Sequence, residues 1–169
     1  MFNTVAFLLV VLANQTPPPG WGQPATPQEL ESVTNLLVMP DGTGLPAGSG
    51  NAATGATLYA RHCQACHGER GSGGTGGALT GGQLSGPEPT KTVGSFWPYA
   101  PKVFDYVRRA MPYGNPSSLS DSDYYALTAY LLYVNDIIGA KKQIDATTLP
   151  DVVMPNRDGF ISAYPHRPD

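Results

Sequence analysis

An all-α fold is what this sequence predicts: three to four helices, with an extended arm at each end. Three observations predict it. Apolar residues recur one turn apart in three separate stretches, each opened by a helix-starting residue. No run alternates apolar and polar residues as a half-buried strand would. Residues 68–95 are dense in glycine and almost aperiodic (GERGSGGTGGALTGGQLSG opens them), so they wrap an object rather than build a layer of their own.

The chain has 169 residues, enough for one ordinary domain plus tails. With 20 Gly, 17 Pro and few charged residues, short helices joined by long ordered loops are expected. The net charge of −3 argues against nucleic acid and against an anionic membrane surface as partners.

Residues 1–13 read as an export signal. Val5 to Leu12 is a short apolar run, and Val11-x-Ala13 supplies small residues before a cleavage site. The n-region lacks Lys and Arg, which leaves open an uncleaved anchor or a misplaced start. The run is short for a membrane span, and none is expected after cleavage. Residues 14–50 form an extended arm rich in Pro, Gly, Thr and Gln, either laid on a surface or a disordered linker. Within it Thr26 to Val38 is weakly helical, with Pro27 at the first helical position and Leu30, Val33, Leu36 and Leu37 as its apolar residues. Asp41 to Gly50 is loop.

The domain proper spans residues 51–138. Its first helix, about Asn51 to Cys63, places Gly55 and Tyr59 on one face, where a second helix can cross closely. It delivers Cys63-Gln64-Ala65-Cys66-His67, which holds both cysteines of the chain. Cys-x-x-Cys-His is the attachment pattern of a c-type haem. Two thiols three positions apart reach the two vinyl groups on one porphyrin edge, and the adjacent imidazole binds the iron from below. The rival readings fit less well. Zinc needs about four ligands, and only His62 and His166 remain, at no ligand spacing. A thioredoxin-like pair expects a βαβ pattern. A disulfide here closes too short a loop to stabilise much. The glycine run lacks the preceding strand and the Gly-Lys-Ser/Thr ending of a phosphate loop.

A second helix, about Pro101 to Ala110, has Pro101 at its first position and Val103, Phe104, Val107 and Ala110 as its apolar stripe. Met111-Pro112 ends it. A third runs from Ser120 to Val134. Ser120-Asp-Ser-Asp123 is a capping box with Asp in place of Glu, and Tyr124, Leu127, Tyr130, Leu131 and Val134 mark the buried side. Residues 139–169 are an extension too apolar to be free. Val152, Val153, Met154, Phe160, Ile161 and Tyr164 are expected to pack on the domain, on a partner, or on both. Arg108, Arg109, Lys141 and Lys142 read as a solvated face, with guidance of a partner as the alternative.

A haem iron held by His67 has a sixth position to fill. Met1 is remote or removed, Met39 lies in the arm and Met154 in the tail. Met111, at a helix end before a loop, is the preferred axial ligand, with Met154 next. Met111 as core filler beside an open iron is the alternative. His/Met ligation raises the reduction potential and blocks the position where oxygen would bind, which favours electron transfer over haem catalysis.

On these residues the chain resembles a class I cytochrome c from Asn51 to about Ile138. Gly55 and Tyr59 match the family's Gly-x-x-x-aromatic, and Tyr130-Leu131 its aromatic-Leu pair on the last helix. The resemblance implies one covalent haem c on Cys63 and Cys66, with His67 and Met111 as axial ligands. It also implies a propionate contact for Trp97, whose other reading is a packed aromatic. Where the family commonly has a Pro whose carbonyl holds the His Nδ1–H, Ala78 and Leu79 stand.

A narrower likeness lies in the run from Thr90 to Ala100, FDYVRRAMP, LSDSDYYALTAYLLYVNDIIG and MPNRDGF. It is similar to the cytochrome subunits of bacterial sulfite dehydrogenases and of the sulfane dehydrogenase of sulfur oxidation. That implies a periplasmic protein that is not itself an enzyme. It would accept electrons from a molybdenum-containing dehydrogenase and pass them to a downstream cytochrome or terminal oxidase. The alternatives are a carrier for another periplasmic dehydrogenase and, in a different class, a haem enzyme or gas-binding protein with an open sixth position.

Overall fold

The computed structural model describes residues 22–34 and 37–161. The expected export signal, Leu36, Tyr164 and His166 lie outside them. The chain divides into two compact units, residues 1–34 and 35–169.

In the first unit the described structure is one helix, α1, Pro27–Thr34. Thr26 caps it reciprocally with Glu29. The Glu29 N–H donates to the Thr26 hydroxyl at 3.2 Å, and the Thr26 N–H donates to the Glu29 carboxylate at 2.7 Å. Pro27 takes the first position as expected. It is described as far as Thr34, and Leu37 and Val38, the end of the expected stretch, are not helical.

The second unit carries α2 (Ala52–His62), the single turns α3 (Gln64–His67) and α4 (Val93–Phe96), then α5 (Ala100–Ala110) and α6 (Asp121–Val134). Asn51 caps α2 by accepting from the Thr54 N–H. Ser120 and Asp123 form the expected box on α6. Pro101 sits at the second position of α5, one residue later than expected, because Ala100 is already helical.

The all-α fold carries one short pair of strands. Ser49–Asn51 (β1) pairs antiparallel with Gln143–Asp145 (β2), Gly50 opposite Ile144. Strands of this length are too short to show alternation. Gly50 fits there because its backbone lies against Ala126 of α6, where a Cβ would come within 2.8 Å of the Ala126 side chain.

α6 is the axis of the core. Every residue from Tyr124 to Leu132 is buried, a wider face than the five expected positions, because α2, α5, β1 and the C-terminal extension surround it. α2 crosses it at Gly55, where a Cβ would land on the Ala126 carbonyl and 2.7 Å from Tyr130 Cβ. Tyr59 and Tyr130 pack beside the crossing with their rings tilted at 42°, centroids 5.0 Å apart. Phe104 of α5 packs on Tyr125 at 4.5 Å.

The extension contributes Ile144, Leu149, Val152 and Met154 to the core, while Val153, Phe160 and Ile161 are exposed. On α5 the buried Asp105 receives two hydrogen bonds from Arg109 and one from Lys102, all 2.7 Å. The Lys102 ammonium also donates to the Val38 carbonyl at 2.8 Å. Arg108 pairs with Asp121 at 2.7 Å. Arg108 and Arg109 are therefore tied to carboxylates rather than belonging to a freely solvated face. Lys141 and Lys142 are exposed.

Candidate functional site

The site begins where α2 ends. The Cys63 N–H closes α2 on the Tyr59 carbonyl at 2.9 Å, and the Cys66 and His67 N–H groups both donate to the Cys63 carbonyl. This single turn places both thiols and the imidazole along one cavity. No disulfide joins the thiols. Burial, with Cys66 adding to it, pushes the Cys63 thiol up to about 11. Tyr59 is pushed up to about 12, chiefly by burial. Both groups are neutral at ordinary pH, and the Tyr59 hydroxyl donates to the Gly68 carbonyl at 3.0 Å.

The glycine-dense loop folds back over the motif. The Gly73 N–H donates to the His67 carbonyl, and the Gly76 N–H to the Cys66 carbonyl. Gly76 lies against the imidazole face: a Cβ there would be 2.7 Å from Cε1. His67 Nδ1 is 2.9 Å from the Gly77 carbonyl oxygen. The carbonyl that holds the ring is thus that of Gly77, one residue before Ala78 and Leu79, which stand where the family commonly has its Pro. With Nδ1 donating to a carbonyl, Nε2 is the ring nitrogen that remains able to bind a metal.

The cavity has a volume of about 510 Å³, within the range of cofactor pockets, roughly 300–1,000 Å³. Its walls include Leu79, Val93, Val103, Val107, Leu127 and Leu131, and among the described residues no Asp, Glu, Lys or Arg lines it. Met111 lines it from the end of α5, where its N–H donates to the Val107 carbonyl at 3.0 Å. Of the other described methionines, Met154 is buried in the core and Met39 is about half exposed; neither lines the cavity. Trp97 lines it too, edge-on to Tyr106 at 5.5 Å between centroids.

All five candidate residues (Cys63, Cys66, His67, Trp97 and Met111) therefore meet at one apolar cavity. The donor set fits a haem: two thiols on one turn, an imidazole with its far nitrogen fixed, a thioether from a separate element, and apolar walls.

Sequence reasoning missed several supporting residues. Asn135 holds the loop to the end of α6, its Nδ2 donating to the Leu79 and Leu131 carbonyls at 3.1 and 2.8 Å. Gly76 and Gly77 were hidden in a run where every third residue or so is glycine. The density of that run was the available signal, but it marks no single position.

Residues 50–131 match a family model described as cytochrome C oxidase, cbb3-type, subunit III. The chain is similar to one in the crystal structure of the sulfane dehydrogenase SoxCD from Paracoccus pantotrophus. The TM-score is 0.75 and the identity 41%, over 88% of this chain and 74% of that one. No curated protein matches the sequence.

Proposed function

The chain belongs to the class I c-type cytochromes, haem proteins that carry electrons, and from that membership we propose a periplasmic carrier holding one covalent haem. It would serve as the electron-accepting subunit of a molybdenum-dependent sulfite or sulfur-compound dehydrogenase. One observation carries the reading: Cys63, Cys66, His67 and Met111 line the same apolar cavity.

Cys63 and Cys66 would each add S–H across one vinyl double bond, giving two thioethers with no atom lost. His67 Nε2 would hold the iron on one side, because Nδ1 is committed to Gly77. The Met111 thioether would hold the other side and favour the reduced state. The haem, when bound, supplies a one-electron iron couple. Leu79, Val103, Val107 and Leu131 line the cavity and would keep water from the haem, and Trp97 would contact a propionate. The partner assignment is supported by the likeness to the sulfane dehydrogenase structure and by the MPNRDGF segment.

The test is reduction of the purified holoprotein by sulfite in the presence of a molybdenum-containing sulfite dehydrogenase, followed at the haem absorption bands. Failure to accept electrons from any sulfite- or sulfane-oxidising dehydrogenase of this kind would sink the partner assignment. Haem content at one per chain, resistant to acid–acetone extraction, checks the covalent attachment. Met111→Ala is expected to lower the potential, abolish the weak red-end Met–iron band and bind carbon monoxide rapidly.

A further inference from the structure

Tyr124 carries a hydroxyl that its packing does not require. The residue is 1% exposed, on the first turn of α6, and a phenylalanine ring would fill the same space. A buried hydroxyl is costly unless it is paired, so its partners indicate what it does. It donates to the Met111 carbonyl oxygen at 3.2 Å and accepts from the Leu119 N–H at 3.3 Å. Met111 opens the loop between α5 and α6, and Leu119 lies just before the Ser120 cap that closes it. One oxygen thus ties the two ends of that loop together. Tyr124 does not line the cavity; it reaches Met111 through the backbone.

We propose that Tyr124 is a positioning residue for Met111, holding the loop so that the thioether stays directed into the cavity. The inference rests on the reading of Met111 as axial ligand. Other ties steady the loop without touching Met111. The Ser117 N–H and Oγ donate to the Arg108 carbonyl at 3.1 and 3.2 Å, and Arg108 pairs with Asp121. The Met111 N–H is held within α5 by Val107. Its carbonyl is held by Tyr124, so the hydroxyl acts where the chain turns from helix into loop.

The experiment is imidazole titration of the ferric holoprotein, since imidazole competes with the thioether for the iron. In Tyr124→Phe the apparent imidazole affinity should rise about two- to tenfold, the factor a net hydrogen bond commands, with the Met–iron band lost at correspondingly lower imidazole. Tyr125→Phe is the matched control. That neighbouring hydroxyl donates to the Pro46 carbonyl at 2.8 Å, so its loss should lower thermal stability and leave imidazole affinity unchanged. Wild-type imidazole affinity in Tyr124→Phe, or an equal rise in Tyr125→Phe, overturns the proposal and reduces Tyr124 to a core hydroxyl. Met111→Ala separates the two levels. If its spectrum and imidazole affinity match the wild type, the ligand reading itself falls, and the positioning role with it.

Discussion

Nδ1 of His67 lies 2.9 Å from the carbonyl oxygen of Gly77, and the residue before that glycine lies against the imidazole face. This pairing fixes the ring from one edge and one side at once. Two adjacent glycines make it possible. Gly77 has φ +78, a left-handed conformation costly for other residues, and Gly76 leaves no room for a Cβ against the ring.

Gly76→Ala should therefore act on the ring rather than on the backbone. The added methyl would sit 2.7 Å from Cε1 and 3.0 Å from Nδ1, closer than real Cβ contacts allow, so the imidazole or the loop has to shift. Overpacking of this kind costs about 1–3 kcal/mol. The expected outcome is reduced holoprotein yield and a lower thermal midpoint, with a changed His67 signature in the paramagnetic NMR spectrum. An unchanged His67 signature would show that the loop moves instead of the ring.

The helices and the donor set were legible because their signals are local. A capping box, an apolar stripe and a pentapeptide each lie within a few residues, and Ser120, Val103 and Cys63 carry them openly. The crossing of α2 on α6 was legible too, since Gly55 and Tyr59 mark a close approach. What escaped is non-local. Gly50 is a strand residue only because Ile144 lies opposite and Ala126 beneath it. Asn135 reads as a helix-ending polar residue until Leu79 arrives from the loop. Asp105 looks like a surface carboxylate on an amphipathic helix, yet Arg109 and Lys102 fold over it and bury it.

Asp105→Asn should be among the more destabilising single changes on α5. Burial pushes the Asp105 carboxyl up, but hydrogen bonds from Arg109 and Lys102 and their charges outweigh it and hold the carboxyl below its ordinary value. Breaking a buried pair costs about 3–5 kcal/mol. Here both cations keep partial solvent access, at 33% and 41%, so about 2–3 kcal/mol is expected. Urea unfolding at neutral pH checks it. Because the folded carboxyl is depressed, its contribution is complete above the ordinary carboxylate range and fades as pH falls through the lowered value. The gap between variant and wild type should accordingly narrow in acid.

Asp145 supplies a second acid-sensitive point, in the extension. Its carboxylate accepts from the N–H and hydroxyl groups of Thr147 and Thr148, at 2.8 to 3.0 Å. The Thr147 hydroxyl is the largest influence holding it down to about 2. The sign follows from a depressed folded value: the turn is fully supported above an unfolded pKa of about 4 and loses that support between about 4 and about 2. The turn presents Leu149 to the core. In Asp145→Ala the thermal midpoint should be lower at neutral pH and flatter across that acid window than in the wild type. Parallel wild-type and variant curves from pH 5 to 2 would remove Asp145 from the account.

The C-terminal extension braces the strip of chain that presents Trp97. Asn156 Nδ2 donates to the Phe96 carbonyl at 2.8 Å, Val153 bridges to Tyr99, the Arg157 guanidinium lies 4.4 Å over the Tyr99 ring, and Phe160 meets Phe96 edge-on at 5.2 Å. These four contacts fall on the residues either side of Trp97 and Pro98, and Trp97 itself lines the cavity. A polar side chain bonded to a partly buried carbonyl has a local effect, worth about 1 kcal/mol. Asn156→Ala should thus lower stability by about that amount. It should speed amide hydrogen exchange selectively over Phe96, Trp97 and Tyr99, leaving the α2–α6 crossing at Gly55 protected. Exchange that quickened equally at both places would mean that the extension stabilises the domain as a whole, and that Trp97 owes it no particular support.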